Sequence, residues 1–147
     1  MCNNNSNNGC SCISEILTVI CILQQNADTN DCCLDTCDKG FLGCSVNCPC
    51  FNTRPIKLYT CGCNGTPWSM PTSKEAGECG DIGVTCSDVF RVEKVDGCCC
   101  TFRVLAPNTD ETETALMPYV ATNCFFTMDL NCCCAIRCLP DTIVDCL

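Results

Sequence analysis

Histidine is absent from all 147 residues, and lysine and arginine together number only eight. Without histidine, mixed Cys/His zinc sites are impossible, and the usual base that activates a catalytic cysteine is missing. The eight basic residues face 17 acids, for a net charge of −9, and form no cluster. Such a chain has no means of neutralising a phosphate backbone, which excludes nucleic acid as a partner. Long apolar runs are lacking as well. Residues 16 to 23 are broken by Thr18 and fall far short of the ~20 residues that a membrane span requires. The chain opens Met1-Cys2-Asn3-Asn4-Asn5-Ser6-Asn7-Asn8, with neither the basic nor the apolar region of a secretory signal. Synthesis in the cytosol is therefore the expectation. No phosphate-binding loop is present. The acidic pairs Glu75/Glu78 and Glu111/Glu113 fall in loop-like sequence, where solvated surface is the commoner explanation. No enzyme and no cofactor are expected.

What the chain has in abundance is cysteine, with 23 residues. So many thiols ordinarily mark either an oxidised scaffold or an intracellular metal binder. There is no C-x-x-C, the spacing used by zinc ribbons, thioredoxin-like centres and ferredoxin-type clusters. Five C-x-C pairs occur instead: Cys10/Cys12, Cys48/Cys50, Cys61/Cys63, Cys98/Cys100 and Cys132/Cys134. Two of them are filled in to the triplets 98–100 and 132–134. Adjacent cysteines bridge each other only with strain, and in an extended segment their sulfurs point to opposite faces. That arrangement suits linkage to different partners, or one internal and one external bond. C-x-C also builds soft-metal thiolate clusters with zinc or copper, so metal binding stands as the alternative function. Proteins that fold around such clusters usually lack an apolar core. Here roughly 31% of the residues are apolar even without cysteine, enough for a core. The odd cysteine count leaves at least one thiol free, metal-bound or joined to another chain.

Along the chain, residues 1–11 form an Asn-rich tail too polar to order itself. Ile13, Ile16, Leu17 and Ile20 recur at helical spacing, which predicts a helix over 12–25. Val19 and Ile22 make its other face apolar, so burial on more than one side is expected, within the core or against a second subunit. Residues 26–50 read as irregular structure pinned by covalent links. From 51 to 147 the texture is β. Strands are expected over 56–61, 88–95, 99–105, 116–121 and 124–130, with a turn at Asn64-Gly65, an acidic loop at 108–114 and a short cysteine-rich element over 131–139. At the Asp96-Gly97 turn, burial favours the register that sets Phe90 against Val104 and Val92 against Phe102, which implies a three-residue loop, Asp96-Gly97-Cys98. The fold class is α+β: an N-terminal helix packed on an antiparallel β-sheet or sandwich, rich in disulfides.

Three segments resemble one family. Asn52-Thr53-Arg54-Pro55 running on to Leu58-Tyr59-Thr60 is the first. Phe90-Arg91-Val92-Glu93 with Arg103-Val104-Leu105 is the second. The third is Asp129-Leu130-Asn131-Cys132, followed by Cys134-Ala135-Ile136 and Cys138-Leu139. All are similar to the cysteine-rich spore coat and exosporium proteins of Bacillus and relatives, the spore coat protein Y/Z and exosporium protein ExsY group. The resemblance covers roughly residues 51–140. Residues 1–50 match in style only, tail histidines of some relatives are missing, and the triplets exceed the family's cysteine content. It implies a structural protein, made in the mother-cell cytosol, that self-assembles into roughly hexagonal sheets at the spore surface, coat or exosporium. Its partners would be its own copies, as hexameric sheet units, and other coat or exosporium proteins. Disulfides would lock the sheets as the spore matures. The interchain candidates are Cys2, Cys10 and Cys12 on or beside the tail, Cys99 and Cys133 at the triplet centres, and Cys146 near the C-terminus. Cys21 and Cys124 sit in apolar sequence and are expected as core thiols or internal bridges.

Overall fold

A computed structural model of the chain describes residues 12–25, 43–45, 48–62, 64–110 and 117–147, with the backbone alone for 43–45 and 48–50. Helix α1 spans Cys12–Gln25. Its buried residues Ile13, Leu17, Ile20, Cys21 and Gln24 fall on one stripe at the helical period. The other apolar pair does not share that burial: Val19 is 36% exposed and Ile22 50%. Among the described residues, that second side is only partly covered.

Strands β1 (Gly43–Ser45) and β2 (Cys48–Phe51) pair antiparallel, in a segment expected to be irregular. A two-stranded ribbon consists only of edges, so Pro49 can lie in β2 without breaking an interior ladder. The main sheet contains β3 (Ile56–Thr60), β6 (Val89–Asp96), β7 (Cys99–Pro107), β8 (Tyr119–Asp129) and β9 (Cys133–Cys138), in the order β8-β7-β6-β3-β9. All its pairings are antiparallel. Two short strands, β4 (Met70–Pro71) and β5 (Cys86–Ser87), form a third small sheet. Among the described residues, the result is one helix with antiparallel sheets, strand predominating.

Register at the β6–β7 hairpin shows how apolar burial overrides the turn. Phe90 faces Val104 and Val92 faces Phe102, the register that burial demands. The loop, however, is not the three-residue one. Asp96 pairs with Cys99, leaving Gly97 and Cys98 as a two-residue turn. Gly97 has φ +57°, which suits glycine at the first position of a II′-type turn. A bulge between Val92 and Lys94 inserts Glu93 and moves the apolar side chains back into register.

The strands expected at 116–121 and 124–130 are one continuous strand, β8. Its pairing with β7 shifts between Arg103 and Leu105, where β8 carries extra residues. There the Thr122 hydroxyl donates to Val104 O at 2.6 Å and accepts from Cys124 N at 3.2 Å. A single 3₁₀ turn, Leu130–Cys132, leads directly into β9. β8 and β9 are the two edges of the sheet, so this link constrains its shape. From Asp129 to Cys133 is four residue steps, at most about 14 Å of reach. Edges of a flat five-stranded sheet would lie roughly 19 Å apart. The sheet must curl to bring its edges together at this end. β3 and β6 share only the pair Ile56↔Phe90, which leaves room for that curl.

Inside the curl, Phe90, Phe102 and Phe126 pack with centroids 4.8 Å (90–126), 5.2 Å (102–126) and 6.4 Å (90–102) apart. Phe90 and Phe102 share one buried cluster with Ile13, Leu17 and Ile20 of α1 and with Ile56 and Leu58, and half-buried Phe126 packs against it. The hydroxyl of Ser14 donates to Gly97 O at 2.8 Å, fixing the helix start against the hairpin turn. Val89, Leu105 and Val144 make a second, smaller cluster.

Polar side chains join the distant segments. Gln24 donates from Nε2 to Val92 O at 2.9 Å and accepts from Arg54 N at 3.0 Å. Arg54, 5% exposed, meets Asp141 with two parallel bonds, Nε–Oδ1 at 2.7 Å and Nη2–Oδ2 at 2.9 Å. Asn52 takes both polar groups of Val144: its Nδ2 donates to Val144 O at 2.9 Å, and its Oδ1 accepts from Val144 N at 3.0 Å. Thr53 and Thr142 form an isolated backbone bridge. The Asn52-Thr53-Arg54 segment is therefore where the C-terminus, the helix and the central strand meet.

Asp141→Ala would leave the Arg54 charge buried without its carboxylate. It is expected to lower stability by about 3 kcal/mol, seen as a lower urea midpoint at unchanged slope.

Candidate functional site

The described cysteines fall into separate physical classes. Two disulfides are formed, Cys61–Cys134 and Cys79–Cys86, and Cys98 and Cys138 are disulfide-bonded as well. The free thiols divide by burial: Cys12, Cys99 and Cys146 are exposed, and Cys21, Cys100 and Cys124 are buried.

Among the described residues, one end of the molecule gathers several cysteines. The Ser14–Gly97 bond sets the start of α1 beside the β6–β7 turn. Leu130 N donates to Cys98 O at 2.8 Å, bringing the β8–β9 link to the same turn. Thr60 pairs with Cys133, so the Cys61–Cys134 bridge lies here too. Cys12, Cys98, Cys99 and exposed Cys132 thus surround a single pole. Cys146 stands elsewhere. It follows Val144, which packs on Val89 and Leu105 at the far end of β6, roughly 20 Å along the strand. At φ +62° it holds a left-handed backbone conformation that non-glycine residues adopt at a cost.

Beneath the pole the sulfurs turn inward. Cys100 is two residues before Phe102 on the core face of β7 and is fully buried. Burial pushes its pKa up to about 12, and the neighbouring Cys21 and Cys133 add to the rise. Cys21 is raised mainly by burial; Arg91 opposes the rise and Glu93 adds to it. Its thiol lies 3.6 Å from Glu93 O and accepts from Gln25 Nε2 at 3.6 Å. Thiolate is the reactive form, so these core sulfurs are poor nucleophiles.

The structure separates the candidates read from the sequence. Cys12, Cys99 and Cys146 stand at the surface. Cys2 and Cys10 lie outside the described residues. Cys133, an interchain candidate as a triplet centre, is 5% exposed and lies in the core cluster of the folded chain. The 3₁₀ turn resets the alternation, so here the centre points in and the flanks Cys132 and Cys134 point out. Cys21 and Cys124 are buried free thiols. The sequence reading missed Cys100 as a core residue, although its even spacing from Phe102 and Val104 was the available signal. Among the described residues, no group of three or more Cys, Asp or Glu could hold a metal ion.

Half of the basic side chains are paired inside the chain. Arg54 pairs with Asp141, Lys57 with Asp88, and Arg91 and Arg103 both with Glu93. Four of the eight cations are thus paired internally, with three carboxylates, and the net charge outside these pairs stays acidic.

A family model described as Spore coat protein Z matches residues 1–141, and the chain belongs to that family. No curated protein and no solved structure matches the chain.

Alkylation resolved by mass spectrometry tests the division of thiols. At pH 8 an ordinary thiol is roughly a quarter thiolate, whereas one with a pKa near 12 is about one part in ten thousand. In folded, unreduced protein, Cys12, Cys99 and Cys146 are expected to label rapidly, and Cys100 only after denaturation. Because its pKa is raised, reactivity at Cys100 should keep climbing with pH after ordinary thiols have levelled off. Equal labelling of Cys99 and Cys100 would contradict the assignment.

Proposed function

We propose that this spore coat protein Z family member is a structural protein of the spore surface that self-assembles into a disulfide-cross-linked two-dimensional sheet. The observation that carries the reading is the division of its free thiols. The core is built by Phe90, Phe102, Leu17, Ile20, Ile56 and Leu58 and holds together without the exposed sulfurs. Cys12, Cys99 and Cys146 therefore remain available to other chains.

A sheet requires each protomer to be tied to three or more neighbours. Cys12 and Cys99 at one pole and Cys146 at the other supply three attachment points, and Cys2 and Cys10 extend the set. Cys133 drops out because it is buried. Protomers first associate through non-covalent faces, among them the outer face of α1 with Val19 and Ile22. Thiols brought within reach then oxidise, and thiol–disulfide exchange corrects wrong pairings. An internal bridge stabilises a fold by about 2–4 kcal/mol. An interchain bridge does more for the assembly, because a subunit then leaves only when a covalent bond breaks. Hexameric units built this way, joined to other coat or exosporium proteins, fit synthesis in the mother-cell cytosol followed by oxidation as the spore matures.

Electron microscopy of protein from a cytosolic host, before and after reductant with heat, tests the reading. Ordered sheets that disperse only under reductant with heat are expected. The variant C2S/C10S/C12S/C99S/C146S should fold yet give arrays that fall apart on mild heating without reductant. A soluble monomer that ignores reductant but unfolds with a chelator would replace this reading with the soft-metal one.

A further inference from the structure

Among the described residues, β8 forms an edge of the main sheet and is its longest strand, with 11 residues. Natural edge strands are guarded by charge, proline or brevity. Tyr119 to Met128 has none of these: no charged residue and no proline in ten positions. The strand also bears two exposed large hydrophobics, Val120 at 39% and Phe125 at 43%. Along its last residues runs a cleft of about 440 Å³, walled by Trp68, Met70, Phe126 and Met128. The indole Nε1 of Trp68 is buried there without a hydrogen-bond partner.

We infer that β8 pairs antiparallel with β8 of a second copy, continuing the sheet across a two-fold axis. The unguarded edge is a template for an identical strand, and charge restricts where two copies can meet. Each copy carries −9, so two copies repel wherever acidic surfaces meet. They can approach closely only along an uncharged strip, and Tyr119–Met128 is such a strip. Full-length antiparallel pairing centres on Cys124. One residue from the axis, the Phe125 side chains of the two copies become diagonal neighbours, within reach of each other on the outer face. At the ends, exposed Val120 of one copy comes beside Met128 and the apolar cleft of the other. The Cys124 thiol stays in the core, so the contact is non-covalent and insensitive to reductant.

This inference rests on the self-assembly reading and names the contact that precedes the disulfides. The full chain is examined by sedimentation velocity in excess reductant over a wide range of concentration. Phe125→Glu, Val120→Glu, the helix-face variant Ile22→Glu and a control at the fully exposed loop residue Ile82, Ile82→Glu, are compared, each checked for an unchanged far-UV spectrum. The wild type is expected to dimerise. Either β8 variant should weaken association by about a hundredfold, because each places two added charges in one contact. Ile82→Glu, in the loop between β4 and β5, should dimerise as the wild type does. Amide exchange in residues 125–128 should slow as the dimer forms. Dimers that survive both β8 charges but break with Ile22→Glu would overturn the β8 contact and leave self-assembly standing. A monomer at every concentration that also forms no arrays on oxidation would overturn both.

Discussion

The Gln24 side-chain amide sits where three segments cross and satisfies two of them. Its donor goes to Val92 O on the central strand, and its acceptor receives Arg54 N from the segment entering β3. Arg54 passes the connection to Asp141, and Asn52 and Thr53 tie down Val144 and Thr142. A backbone amide or carbonyl buried without such a partner costs about 1–3 kcal/mol. The polar crossing therefore fixes the seat of the helix on the sheet in a way that apolar contact alone does not. Both poles depend on it. The start of α1, with Cys12, reaches the hairpin turn only if the helix is seated, and Cys146 is held only if the C-terminal segment is docked.

Folding decides which sulfurs remain chemically active. Cys99 and Cys100 are adjacent in sequence and differ in fate because strand alternation sends one outward and one beneath α1. Desolvation then withholds the thiolate from Cys100. A chain with so many cysteines risks random oxidation. Burial narrows that risk without a dedicated catalyst, provided that folding precedes oxidation. The same logic explains why an apolar core and a cysteine-rich composition coexist here: the core decides which thiols can react.

Much of this was legible in the sequence where local periodicity carried it. The helix over 12–25, the strands around Leu58, Val92 and Phe102, and the apolar register of the hairpin all follow from spacing. The means by which that register arises did not, because a bulge at Glu93 and a shorter turn can give the same pairing as a longer loop. Splitting β8 in two failed for a related reason: Thr122 and Asn123 look like a break but form an irregularity within one strand. The burial of Cys133 was not legible because a 3₁₀ turn resets which residues face inward. The Arg54–Asp141 pair spans 87 residues and has no short-range signature. Family resemblance marked Asn52-Thr53-Arg54-Pro55 as notable, and the structure supplies the reason: its side chains hold the C-terminus and the helix in place.

The central claim is that folding reserves some thiols for the core and leaves others for neighbouring chains. Disulfide mapping by mass spectrometry of assembled, oxidised material addresses it most directly, using mixed isotopically light and heavy protein to distinguish interchain from intrachain bonds. The account predicts mixed-isotope linkages at Cys12, Cys99 and Cys146, with Cys21, Cys100 and Cys124 recovered as thiols. Mixed-isotope bonds at Cys21 or Cys100, with Cys12, Cys99 and Cys146 recovered as free thiols or in bonds within one chain, would contradict it.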